Sequence, residues 1–156
     1  MIEIGTPAPD FTLETDLGEP VTLAKLLGKK VVLYFYPKDN TPGCTIQACD
    51  FRDAMPRFDG VDAVVLGVSP DSVESHAKFR KNFDLTFPLL ADTEHEVAEA
   101  YGVWGKRKTF GVSYEGVERS TFLIDENGIV VNVWREVKAA GHMEMLAEML
   151  AELLGA

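Results

Sequence analysis

Apolar and polar positions follow different rhythms along this chain, and each rhythm predicts an element. Val31-Val32-Leu33-Tyr34-Phe35-Tyr36 is an unbroken apolar run, the pattern of a strand buried on both faces. Val61 to Val68 repeats it around Val64-Val65-Leu66, and Leu85 to Ala91 reads as a short strand broken by Pro88. Helical spacing predicts a helix from Pro42 or Gly43 to Ala54, with Thr41 at the N-cap and Ile46, Cys49 and Phe51 as apolar members. Ser69-Pro70-Asp71-Ser72 caps a second helix running to about Asn82, with Val73, Ala77 and Phe79 inward, and Thr93 caps a third from Glu94 to Tyr101, closed by Gly102. A last amphipathic helix spans Gly141 to Leu154, with Met145, Leu146, Met149, Leu150 and Leu153 on one face.

The ends of the pattern differ from its middle. Residues 1–22 form an extended entry, with a turn signal at Asp16-Leu17-Gly18 and a small hairpin closed by Val21-Thr22-Leu23; a helical turn from Leu23 to Leu27 then stops at Gly28. Ser120 to Asp125 and Ile129 to Trp134 flank Glu126-Asn127-Gly128, the clearest hairpin of the sequence. Residues 103–117, with three glycines and Lys106-Arg107-Lys108, are the least regular part. The order β–α–β–α–β–α–β–β–α predicts an α/β fold: a central mixed β-sheet with helices on both faces and an antiparallel hairpin at one side. At 156 residues with no internal repeat or linker, positions 1–156 are expected to make one domain.

Charge narrows the choice of partner. A net charge of −10 repels nucleic-acid phosphate and anionic lipid, so neither is expected as a partner. The start Met1-Ile2-Glu3-Ile4-Gly5 lacks a basic segment and a long apolar one, which predicts a cytoplasmic protein without signal peptide or membrane span. Thiols are kept reduced there, so two cysteines five positions apart point to redox chemistry before a structural staple. His76, His95 and His142 are scattered, do not give metal-ligand spacing with the cysteines, and are read as surface residues. Lys106-Arg107-Lys108 reads as a solvated loop, Met143, Met145 and Met149 as packing, and Tyr101 and Trp104 as either core or pocket wall.

The chemistry concentrates in Pro37-Lys38-Asp39-Asn40-Thr41-Pro42-Gly43-Cys44, between the buried strand and the helix that follows it. In an α/β fold the reactive loops lie at the C-terminal ends of strands. A thiol reacts as its thiolate, and the free N–H groups and partial positive charge of a helix start favour that form. Cys44 is placed to receive both; Gly43 lets a ligand approach the main chain, and Thr41 can aim its hydroxyl at the same point. A small buried apolar cysteine beside a plain turn is the alternative. Gln47, one turn from Cys44, either bonds within this network or is an exposed helix residue. On one regular helix the Cα atoms of Cys44 and Cys49 stand roughly 8–9 Å apart, beyond the roughly 7 Å limit for a disulfide. Cys49 is therefore either a core residue or a thiol that reaches Cys44 only when the helix melts locally.

Pro37-x-x-x-Thr41-x-x-Cys44 resembles the active-site signature of the peroxiredoxins. The longer string Phe35 to Thr45, with Cys49 beyond it, resembles their bacterioferritin comigratory protein (PrxQ) subgroup. Gly5-Thr6-Pro7-Ala8-Pro9-Asp10-Phe11, Gly67-Val68-Ser69, Tyr101-Gly102-Val103-Trp104 and Arg119-Ser120-Thr121-Phe122-Leu123-Ile124-Asp125 extend the likeness over nearly the whole chain. The resemblance implies a thioredoxin-like fold and a thiol peroxidase acting on hydrogen peroxide and organic hydroperoxides. It implies Cys44 as peroxidatic cysteine with Thr41 and Arg119 as partners, Pro37 shielding a substrate pocket also lined by Gly43, and Cys49 as resolving cysteine. Thioredoxin or a similar dithiol would be the reductant, with no metal or other cofactor. A resolving thiol in the same chain leaves no chemical need for a second subunit, so a monomer is expected.

Two rival readings remain at this level. A thiol–disulfide oxidoreductase on the same fold would normally carry Cys-x-x-Cys, which this chain lacks. A non-catalytic binding domain with a buried Cys44 would show a thiol pKa near or above the free value of about 8.5.

Overall fold

The computed structural model describes residues 2–54, 56, 63–109, 111–135, 148, 149 and 151. Its strands are β1 (Thr12–Thr15), β2 (Val21–Thr22), β3 (Lys30–Phe35), β4 (Ala63–Ser69), β5 (Leu89–Ala91), β6 (Trp104–Thr109), β7 (Val112–Val117), β8 (Ser120–Ile124) and β9 (Val130–Trp134). Its helices are α1 (Pro42–Ala54), α2 (Val73–Phe83) and α3 (Glu96–Ala100), with a 3-10 turn at Leu23–Leu26.

A seven-stranded sheet runs in the order β2-β1-β5-β4-β3-β8-β9. β3, β4 and β5 are parallel, while β1 against β5, β8 against β3 and β9 against β8 are antiparallel. This is the mixed sheet expected from the strand pattern, and the fold is thioredoxin-like. β3 lies inside it, and its side chains alternate between two cores. Val32, Tyr34 and Tyr36 face Cys44, Ala48 and Phe51 of α1 and Phe79 of α2. Val31, Leu33 and Phe35 face Val97 and Ala98 of α3, Tyr101 and Phe122. Helices therefore cover both faces, and the unbroken apolar run of β3 is what that demands. The two tryptophans divide between the cores: Trp134 packs against the cluster under α1, while Trp104 packs on the opposite one and stacks on His95 at 4.0 Å.

Several expectations are corrected. Residues 103–117 are not irregular: β6 and β7 pair antiparallel from Trp104↔Val117 to Thr109↔Val112, with Gly111 at φ 79 in the connection. Lys106 and Arg107 therefore lie on a strand, and Arg107 pairs with Glu118 at 3.5 Å. Pro88 limits β5 to Leu89–Ala91. The N-cap of α3 is His95, which offers no side-chain cap; the Asp92 carboxylate accepts instead from the N–H groups of Val97 and Ala98, and Thr93 is exposed. Ile46 is exposed on α1, and on α2 it is His76, not Ala77, that turns inward. Of the last amphipathic helix, Glu148, Met149 and Ala151 are helical and Met149 is buried. Met145, Leu146, Leu150, Leu153 and His142 lie outside the described residues. No helix among the described residues is long and apolar enough to cross a membrane.

Candidate active site

The parallel strands β3 and β4 end side by side, and Tyr36 prolongs their pairing by donating its N–H to the Val68 carbonyl at 3.0 Å. The chain then turns through residues 37–41, with Asn40 in the left-handed region at φ 60. Thr41 donates its hydroxyl proton to the Lys38 carbonyl at 2.8 Å, which leaves the oxygen's lone pairs as acceptors. Its carbonyl accepts from the Thr45 N–H at 2.9 Å and closes the first turn of α1. Pro42 has no N–H, so Gly43 and Cys44 carry the N–H groups that a helix start leaves without a partner in the helix.

Cys44 is buried in this turn, with 1% of its surface exposed. The β3–β8 register sets Phe35 opposite Ser120, so Arg119 falls level with the loop that leaves β3. Its Nη2 donates to Cys44 Sγ at 3.2 Å, and its Nη1 donates to Gln47 Oε1 at 2.6 Å. Gln47 is fully buried, which decides between its two readings: one turn after Cys44, it fixes the guanidinium that touches the sulfur. A cation and a helix N-terminus thus converge on one sulfur. Gly43 is half-buried and Pro37 exposed at the loop's outer edge. Cys49 is half-buried on the same helix, and both thiols are free. Five residues apart on continuous α-helix, they are held beyond bonding reach.

Beneath α1, the Tyr34 ring stacks on Phe51 at 4.5 Å and on Tyr36 at 5.4 Å. Its hydroxyl is buried with no hydrogen-bond partner among the described residues. Burial, then the charges of Cys44 and Asp39, hold its pKa well above the ordinary phenol value, so the ring stays neutral. Gly67 makes room for it: a Cβ there would lie 2.9 Å from the Tyr34 hydroxyl.

His76 lies outside the stretch singled out in the sequence, and Asp39, although within it, had no role assigned. His76, expected at the surface, is completely buried. Its Nδ1 lies 2.7 Å from Asp39 Oδ2 and its Nε2 lies 2.9 Å from the Leu90 carbonyl. Burial alone pushes the imidazole down; the hydrogen bond and charge of Asp39, the Leu90 carbonyl and the charge of Asp71 outweigh it and leave the pKa above the ordinary histidine value. Asp39 also accepts from the Tyr36 hydroxyl at 2.6 Å and the Ser75 hydroxyl at 2.8 Å. Its N–H donates to Asp71 Oδ2 at 2.7 Å, an oxygen that also accepts from Ser69 Oγ. Asp39, Asp71 and His76 are the described residues whose donor atoms, within 4.8 Å of one another, have metal-binding chemistry, and those atoms already bond to the protein itself. No local signal announces this cluster, because a buried histidine's acceptors come from distant positions. His95 is half-buried against Trp104.

A family model described as the AhpC/TSA family matches residues 4–133. The chain is similar to Peroxiredoxin Bcp of Bacillus subtilis, 53% identical over 152 residues that cover 97% of each chain. It is 40% identical over 151 residues to Peroxiredoxin Bcp of Escherichia coli, again covering 97% of each. Among solved structures it is similar to the Xanthomonas campestris bacterioferritin comigratory protein studied for alkyl peroxide reduction, with a TM-score of 0.86, 39% identity and 97% of each chain covered. A mutant of Xylella fastidiosa PrxQ gives a TM-score of 0.89 at 36% identity, with 97% of each covered.

Proposed function

The chain belongs to the AhpC/TSA family and is a peroxiredoxin, a thiol-dependent peroxidase, and from that premise we propose that Cys44 is its peroxidatic cysteine, that Cys49 resolves it within the same chain, and that thioredoxin or a similar dithiol re-reduces it. One observation carries the reading: the Arg119 guanidinium bridges Cys44 Sγ at 3.2 Å and Gln47 Oε1 at 2.6 Å.

The Cys44 thiolate attacks one oxygen of the hydroperoxide in line with the O–O bond. An S–O bond forms, the O–O bond breaks, and the leaving oxygen departs as hydroxide or alkoxide and takes a proton from water. Charge spreads over sulfur and both oxygens, so the step is helped by positioned donors. Arg119, fixed by Gln47, supplies a permanent cation. The Gly43 and Cys44 N–H groups at the start of α1 add backbone donors, and Thr41 Oγ1, its own proton committed to Lys38, accepts the hydroperoxide's hydrogen. Pro37 and Gly43 bound the approach. The product is a sulfenic acid, which condenses with the Cys49 thiol to a disulfide and water. Because α1 keeps the two sulfurs apart, its first turns unwind for that step. A dithiol then exchanges with the disulfide and restores both thiols. A cytoplasmic setting supplies such reductants, residues 1–156 act as one thioredoxin-like domain, and one subunit suffices.

The test is peroxide consumption coupled to NADPH through thioredoxin and its reductase. Cys44→Ser is expected to be inactive. Cys49→Ser is expected to react once and then stall, gaining one oxygen by intact mass, where the native protein loses two hydrogens. Full turnover by Cys44→Ser would overturn the reading, and a stable added oxygen on the native protein would remove Cys49 from its role.

A further inference from the structure

The loop before Cys44 is fastened to α2 through one carboxylate. Asp39 stands five positions ahead of Cys44 and is itself buried. Tyr36, Ser75 and His76 all bond to its two oxygens, and its N–H is held by Asp71. Beside it, Asn40, the left-handed residue of the turn, accepts from the Asn82 side chain at 3.2 Å. Every one of these bonds lies upstream of Pro42, where α1 starts.

The histidine in this cluster is bound in an unusual way. Both ring nitrogens meet oxygen acceptors: a carboxylate at 2.7 Å and a backbone carbonyl at 2.9 Å. A neutral imidazole has one N–H and leaves one of these oxygens facing a lone pair. Beside an ionised carboxylate, only the imidazolium, with a proton on each nitrogen, satisfies both. The groups facing the ring are Tyr36 from the end of β3, Asp39 from the loop, Asp71 from the β4–α2 connection, Ser75 on its own helix and the Leu90 carbonyl of β5. Burial, the Tyr34 ring and Asp39 hold Tyr36 well above the ordinary phenol value, so it stays neutral. Arg80, one turn along α2, is committed to Asp16 and to the Leu85 and Phe87 carbonyls, and Lys78 is exposed.

We propose that His76 is a positioning residue for the peroxidase reaction: as an imidazolium it holds Asp39, and through Asp39 the 37–41 loop, in the place where Thr41 and the first turn of α1 meet the substrate. The inference rests on Cys44 being the reacting thiol. When the ring loses its second proton, the Asp39 charge is left buried and weakly paired, and the loop and the first turn of α1 that carries Cys44 lose their fixed place, while Arg119 keeps its own partner in Gln47. Because the ring acts upstream of α1, the later unwinding that brings Cys49 to Cys44 does not need it. His76 thus governs the first chemical step and leaves the second alone.

The rate of Cys44 oxidation by hydrogen peroxide, followed by stopped flow in a Cys49→Ser background, tests this. A thiolate population only grows with pH, so a rate set by Cys44 alone rises to a plateau. The proposal expects an alkaline limb on which the rate falls as His76 deprotonates. His76→Gln is expected to lose that limb and to react about ten- to a hundredfold more slowly at neutral pH, the scale of a misplaced reacting group. Asp39→Asn is expected to fall by a similar factor, and the double variant no further than either single one. In the native protein, long-range proton–nitrogen NMR should show both His76 ring nitrogens protonated at pH 7, a readout independent of activity and of variant folding. A neutral ring at pH 7, or a native pH profile that rises and stays flat, overturns the proposal. If the native protein fails to consume peroxide at all, the assignment of Cys44 falls instead, and the NMR result still judges the imidazolium.

Discussion

The loop before Cys44 is tied down by polar bonds that pin particular atoms: the Asp39 N–H by Asp71, the Asp39 carboxylate by Tyr36, Ser75 and His76, and Asn40 by Asn82. Helix α1, which begins just past that loop, is approached through its side chains: Phe51 stacks on Tyr34, Ala48 is buried in the same cluster, and Gln47 meets Arg119. A buried directional bond fails when one partner moves by a fraction of an ångström. A stacked ring tolerates sliding and leaves the helix backbone bonded mainly to itself. The sulfur therefore sits at a boundary between a segment built to stay and a segment able to unwind. The proposed cycle asks for both: a fixed cradle while peroxide reacts, and a yielding helix while the disulfide forms.

Substitutions on either side of that boundary can break the comparison. Arg119→Met is expected to have the largest effect, slowing Cys44 oxidation about 10²–10³-fold, the loss typical of one preorganised charge-stabilising donor. Single-turnover kinetics with far-UV circular dichroism would check that α1 survives; loss of helix would show that Arg119 is part of the fold's support. Phe51→Ala should cost about 3–5 kcal/mol in urea denaturation, as a large aromatic deletion does. By loosening α1 it should also speed disulfide formation from the Cys44 sulfenic acid, and a slower resolution in quenched-flow mass spectrometry would contradict a yielding helix. Asp71→Ala should cost about 1–3 kcal/mol by stranding the Asp39 N–H, slowing oxidation while leaving resolution alone. The smallest effect concerns pH. The folded His76 pKa is raised, so its contribution to stability is complete below the ordinary value of about 6.5 and is lost as pH rises through the raised value. Urea midpoints for the native protein should fall across that window relative to His76→Gln, and parallel curves would show that the ring is not linked to folding.

The parts of this molecule that were legible in the sequence are those whose signal is local. The apolar run from Val31 to Tyr36 identified the central strand because burial on both faces leaves no room for polar positions. Glu126-Asn127-Gly128 marked a hairpin because a tight turn has its own chemistry, and Gly128 does take φ 79. The β6–β7 pair escaped notice because Gly105, Lys106 and Gly116 interrupt the alternation that announces a strand. Hydrophobicity alone counts Ile46 among the apolar members of α1 and places His76 at the surface. The exposed Ile46 sits one place before Gln47, and it is the polar residue that is buried, because Arg119, 72 positions away, supplies its partner. His76 is buried for the same reason, with acceptors from Asp39 and Leu90. Pairings of this kind exist only after the sheet has aligned β3, β5 and β8.

The division of the two tryptophans between opposite cores has an optical consequence. Trp134 rests against the cluster that contains Cys44, Ala48 and Phe51, so the proposed unwinding of α1 should change the polarity around its indole and shift its emission. Trp104 lies parallel to the His95 ring, 4.0 Å away at an interplanar angle of 3°, on the side of the sheet away from α1. Its emission should answer to His95 rather than to the helix. The native chain is therefore expected to carry one fluorophore that follows the proposed unwinding of α1 and another, on the opposite face of the sheet, that serves as its reference.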